Sequence, residues 1–157
     1  MFFQSFSFSA IAVCLFVLLR ASNAFKYVDC GSAVGTFTNV SMSLCEDAAN
    51  LPYCPMKRGT SGTLEIDFES AQYTHTLAAV VHGVIGGIKF PVHLPNKNAC
   101  NDLDTACPVE MYKPYTYRTT LPILQSYIKV GLEIQWELQD DTSANVVCIT
   151  FPARIVD

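Results

Sequence analysis

Charged side chains are scarce in this sequence. Asp, Glu, Lys and Arg together make up 15% of its 157 residues, and the longest basic run is the pair Lys57-Arg58. Tight binding to nucleic acid or to anionic membranes needs clustered Lys and Arg, so neither is expected as a main partner. Catalytic motifs are also missing. No C-x-x-C occurs, and His75, His82 and His93 do not stand at ligand spacing, which argues against zinc. Each histidine reads as a surface or satisfied side chain. Gly59 to Gly62 spells GTSG, a turn without the spacing of a nucleophile elbow. No helix follows Gly83, Gly86 and Gly87 to offer its N-terminus to a phosphate. Asp140-Asp141 lies in a turn, where Asp accepts backbone hydrogen bonds. The sequence therefore predicts no enzyme, no metal and no cofactor.

What remains is greasy and regular. Half of the residues are hydrophobic, enough to bury a sizeable core in one domain and to exclude disorder. The apolar stretch from Ala10 to Leu19 is short for a membrane span. With Ser22-Asn23-Ala24 behind it, residues 1–24 read as a secretory signal peptide cleaved after Ala24. An uncleaved anchor is the alternative, since no Lys or Arg precedes the run and Arg20 follows it. No later stretch is long and apolar enough to span a membrane as a helix. Residues 25–157 would form the domain, with 9 basic against 14 acidic side chains.

Cys14 leaves with the signal peptide. Cys30, Cys45, Cys54, Cys100, Cys107 and Cys148 remain, and an even number in a secreted chain implies a disulfide framework. Spacing alone does not choose a connectivity. Two local loops, Cys45 with Cys54 and Cys100 with Cys107, plus one long closure from Cys30 to Cys148 are the simplest arrangement.

Alternation with period two recurs throughout. Thr36, Thr38, Val40, Met42 and Leu44 share one face of a segment. Leu64, Ile66 and Phe68 stand opposite Glu65, Asp67 and Glu69. Leu77, Ala79, Val81 and Ile85 form a third face, and Ile88, Phe90, Val92 and Leu94 a fourth. The longest run, IKVGLEIQWEL, sets Ile128, Val130, Leu132, Ile134, Trp136 and Leu138 on one side. Turn signals such as Gly86-Gly87 and QDDTSAN separate the runs. No segment shows a 3.6-residue apolar period. About seven half-buried strands of this kind predict an all-β sandwich of two antiparallel sheets. Tyr115, Tyr117 and Tyr127 gather near Pro122 and Ile123, so amphipathic rings collect at an expected sheet edge or pocket mouth. Gly86-Gly87 before Ile88 and Phe90 predicts an exposed apolar loop tip. Asn39-Val40-Ser41 is an N-glycosylation sequon with Asn39 on the solvent face.

Several stretches carry a family resemblance: DCGS at Asp29 to Ser32, AVVHG at Ala79 to Gly83, ACNDLDTACPV, YTYRTTLPI and IQWELQDD. They resemble the ML, or lipid-recognition, domain family, and in particular its secreted sterol-transfer members. The resemblance spans essentially the whole of residues 25–157, with all six cysteines in register. It implies an immunoglobulin-like β-sandwich, the bridges Cys30–Cys148, Cys45–Cys54 and Cys100–Cys107, and a lipid held between splayed sheets. It further implies a secreted or lysosomal monomer that passes a sterol to membranes or to a membrane-embedded partner. Ile123 and Tyr127 would stand at the mouth after Pro122. Leu64, Ile66, Val81, Tyr117 and Trp136 would line the walls, with Phe90 near the pocket. Val92 replaces a family phenylalanine and Ile149 a family tryptophan, which implies a roomier pocket. Lys89 interrupts the apolar loop that family members present to their membrane partner. Fatty acids, semiochemicals or microbial lipids presented to an immune receptor are the competing cargoes.

Overall fold

The computed structural model describes residues 25–48 and 50–157; the signal peptide assigned to residues 1–24 lies outside them. The described residues form nine strands. They are β1 (Val28–Asp29), β2 (Gly35–Met42), β3 (Cys54–Lys57), β4 (Ser61–Ser70), β5 (Ala78–Ile85), β6 (Ile88–Pro91), β7 (Pro114–Pro122), β8 (Gly131–Gln139) and β9 (Asn145–Val156). A single helical turn, α1 (Ser43–Glu46), follows β2, and a 3-10 turn occupies Ala99–Asp102. One sheet runs β1-β9-β8-β5-β6, the other β2-β4-β7. The expected two-sheet β-sandwich is therefore present. One pairing departs from the antiparallel expectation: β3 lies parallel to β9, with Cys54 opposite Ala153 and Lys57 opposite Val156. β9 is long enough to hold β1 beside Ile149 and Thr150 and β3 further along the same edge.

Alternation produces these strands because successive side chains point to opposite faces. In β4, Leu64, Ile66 and Phe68 are buried between the sheets. In β2 the simple alternation fails. A register shift between Phe37 and Asn39 inserts a bulge. Phe37 packs against the core beside Val40 and Met42, while Thr36 and Thr38 are exposed. One extra residue reverses the faces on one side of a bulge. Leu44 sits in α1 rather than on the strand.

Two turns fix strand register. Gly86 and Gly87 adopt φ of 57° and 82° between the paired residues Ile85 and Ile88. Positive φ at both positions of a two-residue hairpin suits glycine and matches the strand twist. Between β8 and β9, Asp140 Oδ1 accepts hydrogen bonds from the amides of Thr142 and Ala144, both 2.9 Å, and from the Thr142 hydroxyl at 2.7 Å. Burial pushes the Asp140 carboxyl up, but these three donors outweigh it and hold it below its ordinary value of 3.8. Asp141 instead accepts from the His75 amide, tying the turn to the residues before β5.

The two sheets are joined unevenly. β6 and β7 are the terminal strands on the same open side of the sandwich. Along the lower half of that side the segment from Lys97 to Asp104 bridges them. Its Lys97 carbonyl accepts from Ala79, and its Ala99 amide donates to Leu77 on the β5 side. Its Asp104 amide donates to Thr116, and Leu103 pairs with Tyr117, on the β7 side. Above Tyr117 this bridge ends.

All three bridges favoured by the sequence are formed: Cys30–Cys148, Cys45–Cys54 and Cys100–Cys107. No cysteine of the described residues remains to ligate zinc. The long bridge spans 118 residues and the short ones 9 and 7. Loop-closure entropy then assigns about 5 kcal/mol to the long bridge and about 2.5 kcal/mol to each short one. Replacing the Cys30–Cys148 pair with alanine will lower the melting temperature more than replacing either other pair; equal shifts in calorimetry would contradict this. Asp140→Ala will cost about 1–3 kcal/mol at pH 7. Because folding lowers the Asp140 pKa, its contribution is present above 3.8 and lost as pH falls through the folded value. Denaturant titrations will therefore show the gap between variant and wild type closing in acid.

Candidate functional site

The run from Ile128 to Leu138 meets two different surroundings. Ile128, Val130, Leu132 and Ile134 line a cavity of about 290 Å³ between the sheets. Trp136 and Leu138, two and four residues further on, are wholly buried among side chains. The change falls where the bridging segment begins. The rest of the cavity wall comes from the β5–β6 hairpin (Gly83, Ile85, Phe90, Pro91), then Val92, the end of β7 and its following residues (Leu121, Ile123), Tyr127, and the parallel pair β3–β9 (Met56, Ile155).

The lining is apolar apart from one side chain, Tyr127. Its hydroxyl accepts a hydrogen bond from the His93 amide at 3.4 Å, and its carbonyl accepts from Arg58 Nη1 at 3.3 Å. Tyr127 thus ties the loop after β7 to the residues after β6. Behind that loop, Asp157 pairs with both Lys129, at 2.7 Å, and Arg58. The Lys129 ammonium, then the Arg58 guanidinium, hold the Asp157 carboxyl below its ordinary value. The rim is greasy. Ile88 is 62% exposed, Phe90 48% and Ile128 70%, and Lys89 sits between the first two. Scattered exposed hydrophobics are ordinary; these stand together rather than singly.

Of the residues singled out in the sequence, Phe90, Val92, Ile123 and Tyr127 stand on the cavity wall. Pro122 does not. It alternates with Leu121 and Ile123, pairs with Ser61 and turns away from the cavity. Val81, Tyr117, Trp136 and Ile149 lie one layer deeper. Trp136 is in register with Val81 on one side and Ile149 on the other, and its ring centroid is 6.3 Å from that of Tyr117. Ile66, opposite Tyr117, and Leu64, opposite Thr119, belong to the filled core of the second sheet. The smaller side chain at Ile149 therefore opens no extra room, because neighbours close around it; Val92 is the replacement that does face the cavity. The tyrosines separate by depth. Tyr115 stacks on Phe68 at the far end, with its hydroxyl accepting from the Glu110 amide.

Met56 and Ile155 were not foreseen. They meet through a short parallel pairing for which no local pattern exists. Gly83, Leu132 and Ile134 were within reach, since they lie on strands whose alternation is plain. The histidines are dispersed: His82 stands 3.9 Å from Glu137, His75 beside Tyr73, and His93 at the mouth. Asn39 is exposed on β2, with its amide 3.4 Å from Asp67. Such a site holds a molecule by removing apolar surface from water and selects by shape.

Residues 24–155 match the ML domain. NPC intracellular cholesterol transporter 2 homolog a of Drosophila melanogaster is 38% identical over 146 residues, covering 93% of this chain and 97% of that protein. NPC intracellular cholesterol transporter 2 of Danio rerio is 34% identical over 142 residues, covering 90% and 92%. Among solved structures, a Niemann-Pick type C2 protein from the Japanese carpenter ant superposes with a TM-score of 0.77 at 25% identity. That match covers 84% of this chain and 100% of that one. With two sheets, three bridges and an apolar hollow in place, the chain belongs to the ML domain family.

Proposed function

We propose that this protein is a carrier that shelters a cholesterol-like sterol between its two sheets and delivers it to membranes. The single observation that carries this reading is the 290 Å³ apolar cavity opening through a greasy rim. Relatives named as cholesterol transporters, at 38% and 34% identity, support the choice of cargo. Burying about 400 Å² of apolar ligand surface yields about 10 kcal/mol, enough for useful affinity after association costs. No catalytic step is needed.

A sterol needs more space than the empty cavity offers, since sites for drug-sized ligands span about 300–1,000 Å³. The cargo therefore gains room by moving the layer beneath, and Val81, Tyr117, Trp136 and Ile149 become its inner walls. Residues 1–24 act as the leader that sends the chain out of the cytosol, in keeping with three disulfides. A glycan on Asn39 is compatible with its exposure and with a lysosomal destination. The rim of Ile88, Lys89, Phe90 and Ile128 is the surface that meets an acceptor membrane or a membrane-embedded partner. A second reading, carriage of fatty acids or semiochemicals, draws on Val92, whose small side chain widens the wall. Mass spectrometry of the molecule that co-purifies with the secreted protein separates the two.

In a dehydroergosterol titration, Tyr127→Ala and Ile123→Phe will each weaken binding about tenfold while leaving the melting temperature within a few degrees. Unchanged affinity in both removes them from the site. Gly83→Ala offers a subtler check. A Cβ there would stand 2.8 Å from Leu132 Cδ1, pushing that side chain into the cavity. Losing one methyl group's worth of space will cost about fourfold in affinity, and an undiminished affinity would show that this wall is not used.

A further inference from the structure

The loop after β7 forms one side of the mouth, and Ile123, Tyr127, Ile128 and Val130 line the cavity from it. Backbone hydrogen bonds fix both of its ends. Gly59 donates to the Ile123 carbonyl at 2.7 Å, and Ile123 donates to that of Thr60 at 2.8 Å. At the other end Ile155 donates to the Val130 carbonyl at 2.9 Å. Between these ends the loop turns on itself, with the Tyr127 amide donating to the Leu124 carbonyl at 3.1 Å. Side chains tie this middle stretch to the scaffold. Arg58 Nη1 donates to the Tyr127 carbonyl, the Tyr127 hydroxyl accepts from the His93 amide, and the Lys129 ammonium donates to Asp157.

Arg58 and Asp157 reach the loop together for a topological reason. β3 and β9 run parallel, with Lys57 opposite Val156, so the residues that follow the two strands emerge side by side. The Arg58 amide also donates to the Val156 carbonyl at 2.9 Å. The Arg58 side chain lies behind the loop. Its Nε is shut off from solvent, Nη1 reaches Tyr127, and Nη2 pairs with one oxygen of Asp157. The other Asp157 oxygen holds Lys129, so one carboxylate pins both cations.

A hydrogen bond donated by a cation is stronger than a neutral one. Tyr127 has one of each, and its neutral contact with His93 is 3.4 Å long. Arg58 is therefore the firmer of its two tethers. We propose that Arg58, held by Asp157, is a positioning residue of the mouth: it fixes the loop that carries Tyr127 and so sets how fast cargo enters and leaves, rather than how tightly it is held. The inference rests on the carrier reading and adds a kinetic control to it. Affinity comes from apolar surface buried inside the cavity, and Arg58 stands outside the cavity wall. A rigid molecule wider than the opening passes only when the loop shifts, and shifting it breaks the bond to Arg58. Losing that bond lowers the barrier to entry and to exit alike, which leaves their ratio unchanged.

Trp136 is the only tryptophan of the chain, so energy transfer from it to dehydroergosterol reports occupancy. Stopped-flow mixing of protein with dehydroergosterol gives the rate of entry, and mixing of the loaded protein with excess methyl-β-cyclodextrin gives the rate of exit. Arg58→Met keeps the stem and removes the cation. It will raise both rates about tenfold, with the dissociation constant within about twofold of wild type. Arg58→Lys, which keeps the charge, will retain rates nearer those of wild type. Asp157→Asn, at an exposed position, will raise both rates by a smaller factor and carries the test if Arg58→Met does not fold. Rates unchanged in both Arg58→Met and Asp157→Asn, a lysine variant as fast as the methionine one, or an affinity weakened through faster exit alone overturns the positioning role and leaves the carrier reading standing. Absence of energy transfer to dehydroergosterol in the wild-type protein removes both.

Discussion

The contact of Tyr117 with Trp136 across the gap between the sheets divides the molecule. On one side of it the sheets are stitched together by the segment from Lys97 to Asp104, and side chains fill the space completely. On the other side the stitching stops, and the apolar faces look onto a hollow. The same alternating strands therefore build a core at one end and a container at the other. Nothing about the strands themselves changes at the boundary; only what connects their edges does.

An unfilled interior has a cost. By the scaling found for truncated cores, a void of about 290 Å³ forfeits about 7 kcal/mol. The entropy removed from the unfolded chain by three disulfides is of similar size. The framework of bridges is thus more than a sign of an oxidising compartment. It helps a domain of modest length to fold around an interior that its own side chains do not fill. Cys30–Cys148 ties the residue after β1 to β9, at the end of the sheet opposite β6.

Much of this was legible in the residues. Leu64, Ile66 and Phe68 announced β4 and its inward face, and Gly86-Gly87 announced a hairpin with an apolar tip. The alternation from Ile128 to Leu138 also announced a buried face, but could not say where a hollow ends. Period two reports orientation and says nothing of what stands opposite, so Ile134 and Trp136 look alike in sequence. The bulge in β2 was hidden because Thr36 and Thr38 preserve a regular spacing with Val40. Met56 and Ile155 were hidden for another reason: they meet through a pairing between chain segments a hundred residues apart. Resemblance to the family placed Tyr127 and Ile123 at the mouth, yet put several core residues on a wall that only a filled cavity would reach.

The terminal position of β6 and β7 has a mechanical meaning. Each is hydrogen-bonded to a strand on one side only, β6 to β5 and β7 to β4, and among the described residues no ladder joins them beyond Tyr117. Widening the sandwich there breaks no backbone hydrogen bond of either sheet. The hollow is therefore closed on that side by side chains and by the hydrogen bond from the His93 amide to the Tyr127 hydroxyl, not by a strand ladder.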